Sequence, residues 1–160
     1  MNQSQLIDLI RVSASEVNEM GSFVNLNGKD LNARRTELSS LTQNMPLPVI
    51  ALMHARSNFD PTRRTNNRHS FILLFLDQST PGAAPDTNTS LLLEDTTEDI
   101  TARMEQLFQD FATDFFSVQN IRSGKYQLDG NIEMTAEKNI LATMLTGVSI
   151  RFNLIDAQRC

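Results

Sequence analysis

Four arginines lie close together in one polar stretch, residues 56–68: Arg56, Arg63, Arg64 and Arg68. With Asp60 as the one acidic residue among them, the stretch carries a formal charge of +3 in a chain whose net charge is −5. Arginine forms bidentate hydrogen bonds with carboxylates and with phosphates alike. The cluster therefore predicts a contact with an acidic protein surface or with nucleic acid, while a solvated hairpin tip is the alternative interpretation.

The protein contact is the better of the two binding interpretations. Phe59 is the one aromatic residue in the stretch, and single-stranded nucleic acids are bound by stacking on several aromatic rings. No recognition-helix pattern is present to read duplex DNA. We expect these arginines to form an arm that pairs with an acidic surface such as the one formed by Glu94–Asp99.

The remaining chemistry-bearing residues do not form a catalytic pattern. His54 and His69 flank the arginine stretch, but they have no metal-binding spacing and no adjacent acidic partner, so we interpret them as structural residues at the ends of paired strands. No nucleophile turn of the GxSxG type occurs, and the glycines are scattered singly rather than grouped into a phosphate-binding loop. The single Cys160 excludes an intramolecular disulfide and a multi-cysteine metal site. We expect no catalytic, cofactor-binding or metal-binding residues, and no enzyme.

One helix positions the aromatic residues. Residues 97–118 place apolar side chains at helical spacing from Ile100 to Val118, and Thr96 or Thr97 is in position to cap the start. The carboxylates of the first turn are interpreted as solvated. Phe116 lies off the apolar stripe, which leaves two interpretations open: a packed residue, or an exposed side chain that contributes to a partner surface together with the four arginines.

The other elements are read from periodicity. Ser4–Met20 predicts an amphipathic helix. Four strands are predicted, with the first two paired as a hairpin: Leu47–Ala55, His69–Asp77, residues 126–134 with a turn or bulge at Asp129–Gly130, and residues 148–154. Two segments stay ambiguous: residues 23–41 fit a turn at Asn27–Gly28 or a short helix, and residues 140–145 fit an extension of the last strand.

Together these elements predict one α+β domain spanning residues 1–160. Its mixed, mostly antiparallel four-stranded sheet is packed by the N-terminal helix and the long central helix. Extended loops are expected at 56–68 and 78–93, and residues 156–160 form a short tail. The N-terminus lacks a signal-peptide pattern, and the longest apolar runs are too short to span a membrane. We expect a chain that is assembled in the cytoplasm and has no membrane partner.

The order of elements resembles that of tail terminator, tail completion and head-to-tail connector proteins of tailed bacteriophages. The resemblance rests on the strand FILLFLDQS, the long helix with an acidic start LEDTTEDITARMEQLFQDF, and the final strand TGVSIRFNL after a Thr-Gly step. It covers Ser4 to Leu154.

The resemblance implies a structural virion protein without cofactors. It would form a six- or twelve-fold ring around the DNA channel, contact neighbouring portal, connector or tail proteins, and meet the passing DNA only non-specifically. The virion neck or tail would be its location. Two other classes remain open from the residues: a bacterial adaptor or protein-binding module with the same small α+β core, and a small enzyme of another type.

Overall fold

The structure is a computed structural model that describes residues 3–28, 30–41, 46–59, 62, 67–78, 89–117, 126–140 and 145–156. These residues form an α+β fold of three helices around a mixed six-stranded sheet. In chain order the elements are α1 (Gln3–Glu16), β1 (Ser22–Asn25), α2 (Leu31–Leu41), β2 (Val49–Asn58), β3 (Arg68–Gln78), α3 (Thr89–Phe115), β4 (Tyr126–Leu128), β5 (Glu133–Ile140) and β6 (Leu145–Asp156). The α+β class is confirmed, but the predicted count of four strands is wrong.

The sheet has the order β1-β2-β3-β6, and β6 is followed on its far side by two short strands that lie end to end. β4 pairs with the C-terminal end of β6, and β5 pairs with the rest of it. β1 runs parallel to β2, and every other pair is antiparallel. The predicted hairpin of β2 and β3 and the mostly antiparallel character are therefore confirmed.

The two additional strands come from segments with weak periodic signals. β1 and α2 lie within residues 22–41, and for residues 23–41 the sequence left a turn and a short helix both open. The predicted strand at 126–134 is divided in two, because Gly130 adopts a left-handed conformation (φ 80°) between β4 and β5. A backbone with positive φ cannot continue an extended strand, so the chain turns there.

Helices α1 and α3 cover the first face of the sheet. The apolar stripe of α3 is buried, as predicted, and packs with sheet residues in one core that includes Leu107, Phe111, Phe115, Phe71, Leu73, Ile150 and Phe152. The ring of Phe111 lies against Phe75 and Phe115, at centroid distances of 5.6 and 5.3 Å. Such aromatic pairs contribute beyond the apolar area that they bury.

Helix α3 begins earlier than predicted. It starts at Thr89, so Thr96 and Thr97 lie inside the helix and do not cap it. The leucines at positions 91–93 favour helix, and the helix extends into the loop predicted at 78–93. Residues 79–88 of that loop lie outside the described chain. The helix ends at Phe115 rather than at position 118.

Helix α2 covers one end of the second face through a smaller core that joins Leu38 to Val49, Ala51, Leu76 and Leu145. The start of β2 is therefore buried on both faces, as its continuous apolar run predicts. A register shift between Leu52 and His54 ends this run, and of the β2 residues after it Ala55 is buried while residues 56–58 are exposed. The bulge thus marks where the covered part of the second face ends.

Candidate functional site

The β2–β3 hairpin is longer than the sequence predicted, which moves two of the four arginines out of the loop. Arg56 pairs with Ser70, and Arg68 pairs with Asn58, so both arginines lie in strands. The predicted loop boundaries at 56 and 68 are therefore wrong. Every residue of β2 beyond Ala55 is exposed, whereas His69 on β3 is still buried, so main-chain pairing with β3 carries the ladder past Ala55. Arg63 and Arg64 lie outside the described residues, and their contact stays a prediction.

Three rows of paired residues cross the part of the second face that lies beyond the bulge. No residue among those the structure describes packs over these rows as α2 does over the other end. We call this surface the arginine face. Read from β2 toward the far edge, its rows are His54–Ile72–Arg151–Glu133, then Arg56–Ser70–Asn153, then Asn58–Arg68–Ile155–Gln127. Except for Glu133, the residues of the first two rows line an open groove of about 430 Å³ together with Asn58 and Phe71.

The arginine face carries two exposed arginines that form no salt bridge within the described residues. Arg56 and Arg151 are exposed, and neither forms a salt bridge with any carboxylate in the described part of the chain. This includes Glu133, the register partner of Arg151. From strand spacing and rise, the Cα atoms of the two arginines lie about 12 Å apart. Fixed on one rigid sheet, they form a preorganised pair of cationic groups.

The third arginine of the face pairs with a carboxylate of its own chain. The Nε of Arg68 lies 3.1 Å from Oδ2 of Asp129, which follows β4. Between the arginines, the hydroxyl of Ser70 donates a hydrogen bond to Oδ1 of Asn153 at 2.6 Å. The floor of the groove therefore combines the polar groups of Ser70 and Asn153 with the apolar side chain of Ile72, while the two ends of its diagonal are cationic.

The two histidines lie on opposite faces of the sheet and do not form a pair. His54 is half-buried on the arginine face. His69 is buried on the core side, where its Nδ1 lies 2.7 Å from the hydroxyl of Ser57 and its ring meets the edge of Tyr126. Within the residues described, no group of three or more His, Cys, Asp or Glu side chains is placed to hold a metal ion.

Phe116 is not exposed, so of its two interpretations the structure favours the packed one. Its ring is half-buried and meets Phe115 and Phe152 edge to face, at centroid distances of 5.0 and 5.5 Å. The residue lies one position beyond the last residue of α3, and its backbone N–H still donates a helical hydrogen bond to the carbonyl of Ala112 at 2.9 Å, so the contacts with the rings of Phe115 and Phe152 account for its burial. Its role in a partner surface stays a prediction.

A strongly acidic helix lies on the other side of the sheet. The α3 sequence contains seven acidic residues and one basic residue, a formal charge of −6, which exceeds the net charge of the whole chain. The one basic residue, Arg103, pairs with Asp77 at the end of β3. Asp99 and Asp110 are exposed, so the outward surface of α3 is anionic.

Arg151 is the site residue that the sequence did not single out. A signal was present, because Arg151 falls on the polar side of the alternating strand at 148–154. The alternation within this strand does not show which residues of β3 lie opposite it. That register places Arg151 in the row next to that of Arg56. Pairing between distant strands carries this information, and a single strand does not.

Comparison with known proteins adds no family. No protein-family model matches the chain, and no curated protein matches it significantly. Among the described residues, no helix is long and apolar enough to cross a membrane. The geometry of the arginine face and the charge of α3 are therefore the basis for a functional proposal.

Proposed function

We propose that this protein is a structural subunit of a bacteriophage neck or tail that assembles with copies of itself into a ring around the DNA channel. The resemblance in element order supports this proposal, together with one structural observation. The two sides of the sheet present opposite charges: exposed arginines on one side and an acidic helix on the other. The ring would be six- or twelve-fold and would contact portal, connector or tail proteins in the virion.

The separation of charge suits head-to-tail assembly. A ring is built from heterologous contacts, in which one patch of each subunit meets a different patch of the next. The sheet lies between α3 and the arginine face, so Arg56 and Arg151 cannot reach the carboxylates of their own α3. A neighbouring copy can supply them.

The same geometry argues against DNA as the main ligand of the face. Affinity for DNA grows with the number of phosphates that a protein neutralises. Arg56 and Arg151 are two charges in an acidic chain, and α3 repels phosphate. We therefore assign the passing DNA a non-specific role only.

The proposal is tested on the purified chain and on virions. Mass photometry across a concentration series should show a discrete oligomer, and cryo-electron microscopy should show a closed ring whose opening admits duplex DNA. Mass spectrometry of purified virions of a phage that encodes the chain should detect it in fixed stoichiometry. Deleting its gene should give filled heads and tails that fail to join.

Two results would overturn the proposal. One is absence of the chain from purified virions, and the other is normal joining of heads and tails in the deletion strain. Either result would favour the adaptor interpretation, in which the arginine face binds an acidic partner protein instead.

A further inference from the structure

We infer that the arginine face of one copy binds the outward surface of α3 in the next copy, with Arg56 and Arg151 paired to Asp99 and Asp110. This inference rests on the proposed function, because it names the partner of the same face within the assembly. A second copy of this chain occupies the face, and its α3 matches the face in dimensions, in charge and in polar groups.

The dimensions of the two surfaces agree. The arginine face spans four strands and three rows, which corresponds to roughly 20 Å by 20 Å. The outward surface of α3 between Glu98 and Thr113 is about 22 Å long at the rise of an α-helix, and a helix with its side chains is about 10–12 Å wide. One helix therefore fits across the face along its diagonal.

The charges also agree in position. Asp99 and Asp110 are eleven residues apart, which places them on the same side of the helix about 16 Å apart along its axis. The Cα atoms of Arg56 and Arg151 are about 12 Å apart on the diagonal of the groove. The long arginine side chains make up the difference, and each guanidinium then meets one carboxylate.

Between the charges, most groups on both surfaces are polar. Gln106, Gln109 and Arg103 are exposed on α3 between Asp99 and Asp110, and Arg103 is already paired with Asp77. On the arginine face the corresponding region holds Ser70 and Asn153, with the half-buried Ile72 beside them. Amide and hydroxyl groups both donate and accept hydrogen bonds, so the middle of the contact leaves no charge buried without a partner.

Two charge-reversed variants test this contact. The face variant is Arg56→Glu/Arg151→Glu, and the helix variant is Asp99→Lys/Asp110→Lys. Each variant alone places like charges in contact and should weaken self-association roughly a hundredfold or more, measured by mass photometry or sedimentation. An equimolar mixture should restore assembly to within about tenfold of the parent, because alternating subunits again match opposite charges.

A net-charge control separates this contact from general repulsion. Arg56→Ser/Arg151→Ser lowers the net charge by two, and Val12→Glu/Ser15→Glu does the same on exposed positions of α1. The first should weaken assembly at least about tenfold, and the second should leave it within about twofold of the parent. All four variants should melt close to the parent, since exposed charges contribute little to folding stability.

The outcomes distinguish this inference from the proposed function. Normal assembly of the face variant, or failure of the mixture to assemble while the parent does, would overturn the inference and leave a ring built through other surfaces. A parent that stays monomeric at every soluble concentration would also overturn it. Restored assembly of the mixture together with absence from virions would support the inference and overturn the phage assignment.

Discussion

Replacing Gly147 with alanine should destabilise the fold strongly, because backbone atoms occupy the place of the added methyl group. Gly147 lies in β6, paired with Leu76 on β3 and with Glu137 on β5. A Cβ at this position would overlap the carbonyl oxygen of Phe75, and it would lie 2.9 Å from the carbonyl carbon of that residue and 3.1 Å from the Cα of Leu76. Backbone in the middle of a sheet cannot rotate away as a side chain can, so β3 and β6 must move apart locally.

The magnitude follows from two contributions. Overpacking a well-packed core costs about 1–3 kcal/mol even where side chains adjust. Moving the strands apart also weakens one or two ladder hydrogen bonds, each worth about 1 kcal/mol. We therefore expect a loss of about 3–5 kcal/mol, which corresponds to a fall in Tm of about 6–20 °C for a domain of this size.

Urea denaturation followed by circular dichroism measures this loss, with Gly130→Ala as the matched control. At Gly130 no atom lies within 4 Å of the added Cβ, and only the positive φ opposes a side chain. That strain costs about 1–2 kcal/mol. If Gly147→Ala were no more destabilising than Gly130→Ala, the close approach of β3 and β6 at this point would be wrong.

Two further substitutions test the packing of α3 on the sheet. Phe111→Ala removes a fully buried ring and should cost about 3–5 kcal/mol in urea denaturation, whereas Phe59→Ala, at a residue 68% exposed, should change the stability by less than about 0.5 kcal/mol; equal effects would contradict the assigned core. Asp77→Asn removes the carboxylate that pairs with Arg103 and accepts a hydrogen bond from the backbone N–H of Gln78, and should cost about 1–2 kcal/mol. Part of that cost should disappear in 1 M salt because Arg103 is half-exposed, and a cost that does not depend on salt would count against the ion pair.

The core of this fold is predictable from the sequence because long periodic patterns carry it. The stripe from Ile100 to Phe115 and the alternation from Val148 to Leu154 each repeat several times, and both faces lie where the periodicity puts them. The short elements are different. β1 has four residues and β4 has three, so each forms through pairing with a neighbour rather than through its own pattern.

The candidate site was only partly predictable for a related reason. Its arginines at 56 and 68 were identified from composition, but their placement in strands depends on how far the β2–β3 ladder continues. The arginine face is uncovered because α2 packs over only one end of the second face. This helix has no strong apolar stripe, so the sequence did not predict its position. Arg151 joins the site only through the register of β6 with β3.

The opposite charges on the two sides of the sheet give each molecule an electric dipole that runs roughly along the sheet normal. Two such subunits approaching in solution would tend to align head to tail before they touch, since that orientation lowers their electrostatic energy. Association in the wrong orientation would be slowed at the same time. Assembly would then be fastest at low ionic strength. It would slow as salt shortens the distance over which charges on one copy attract charges on the next.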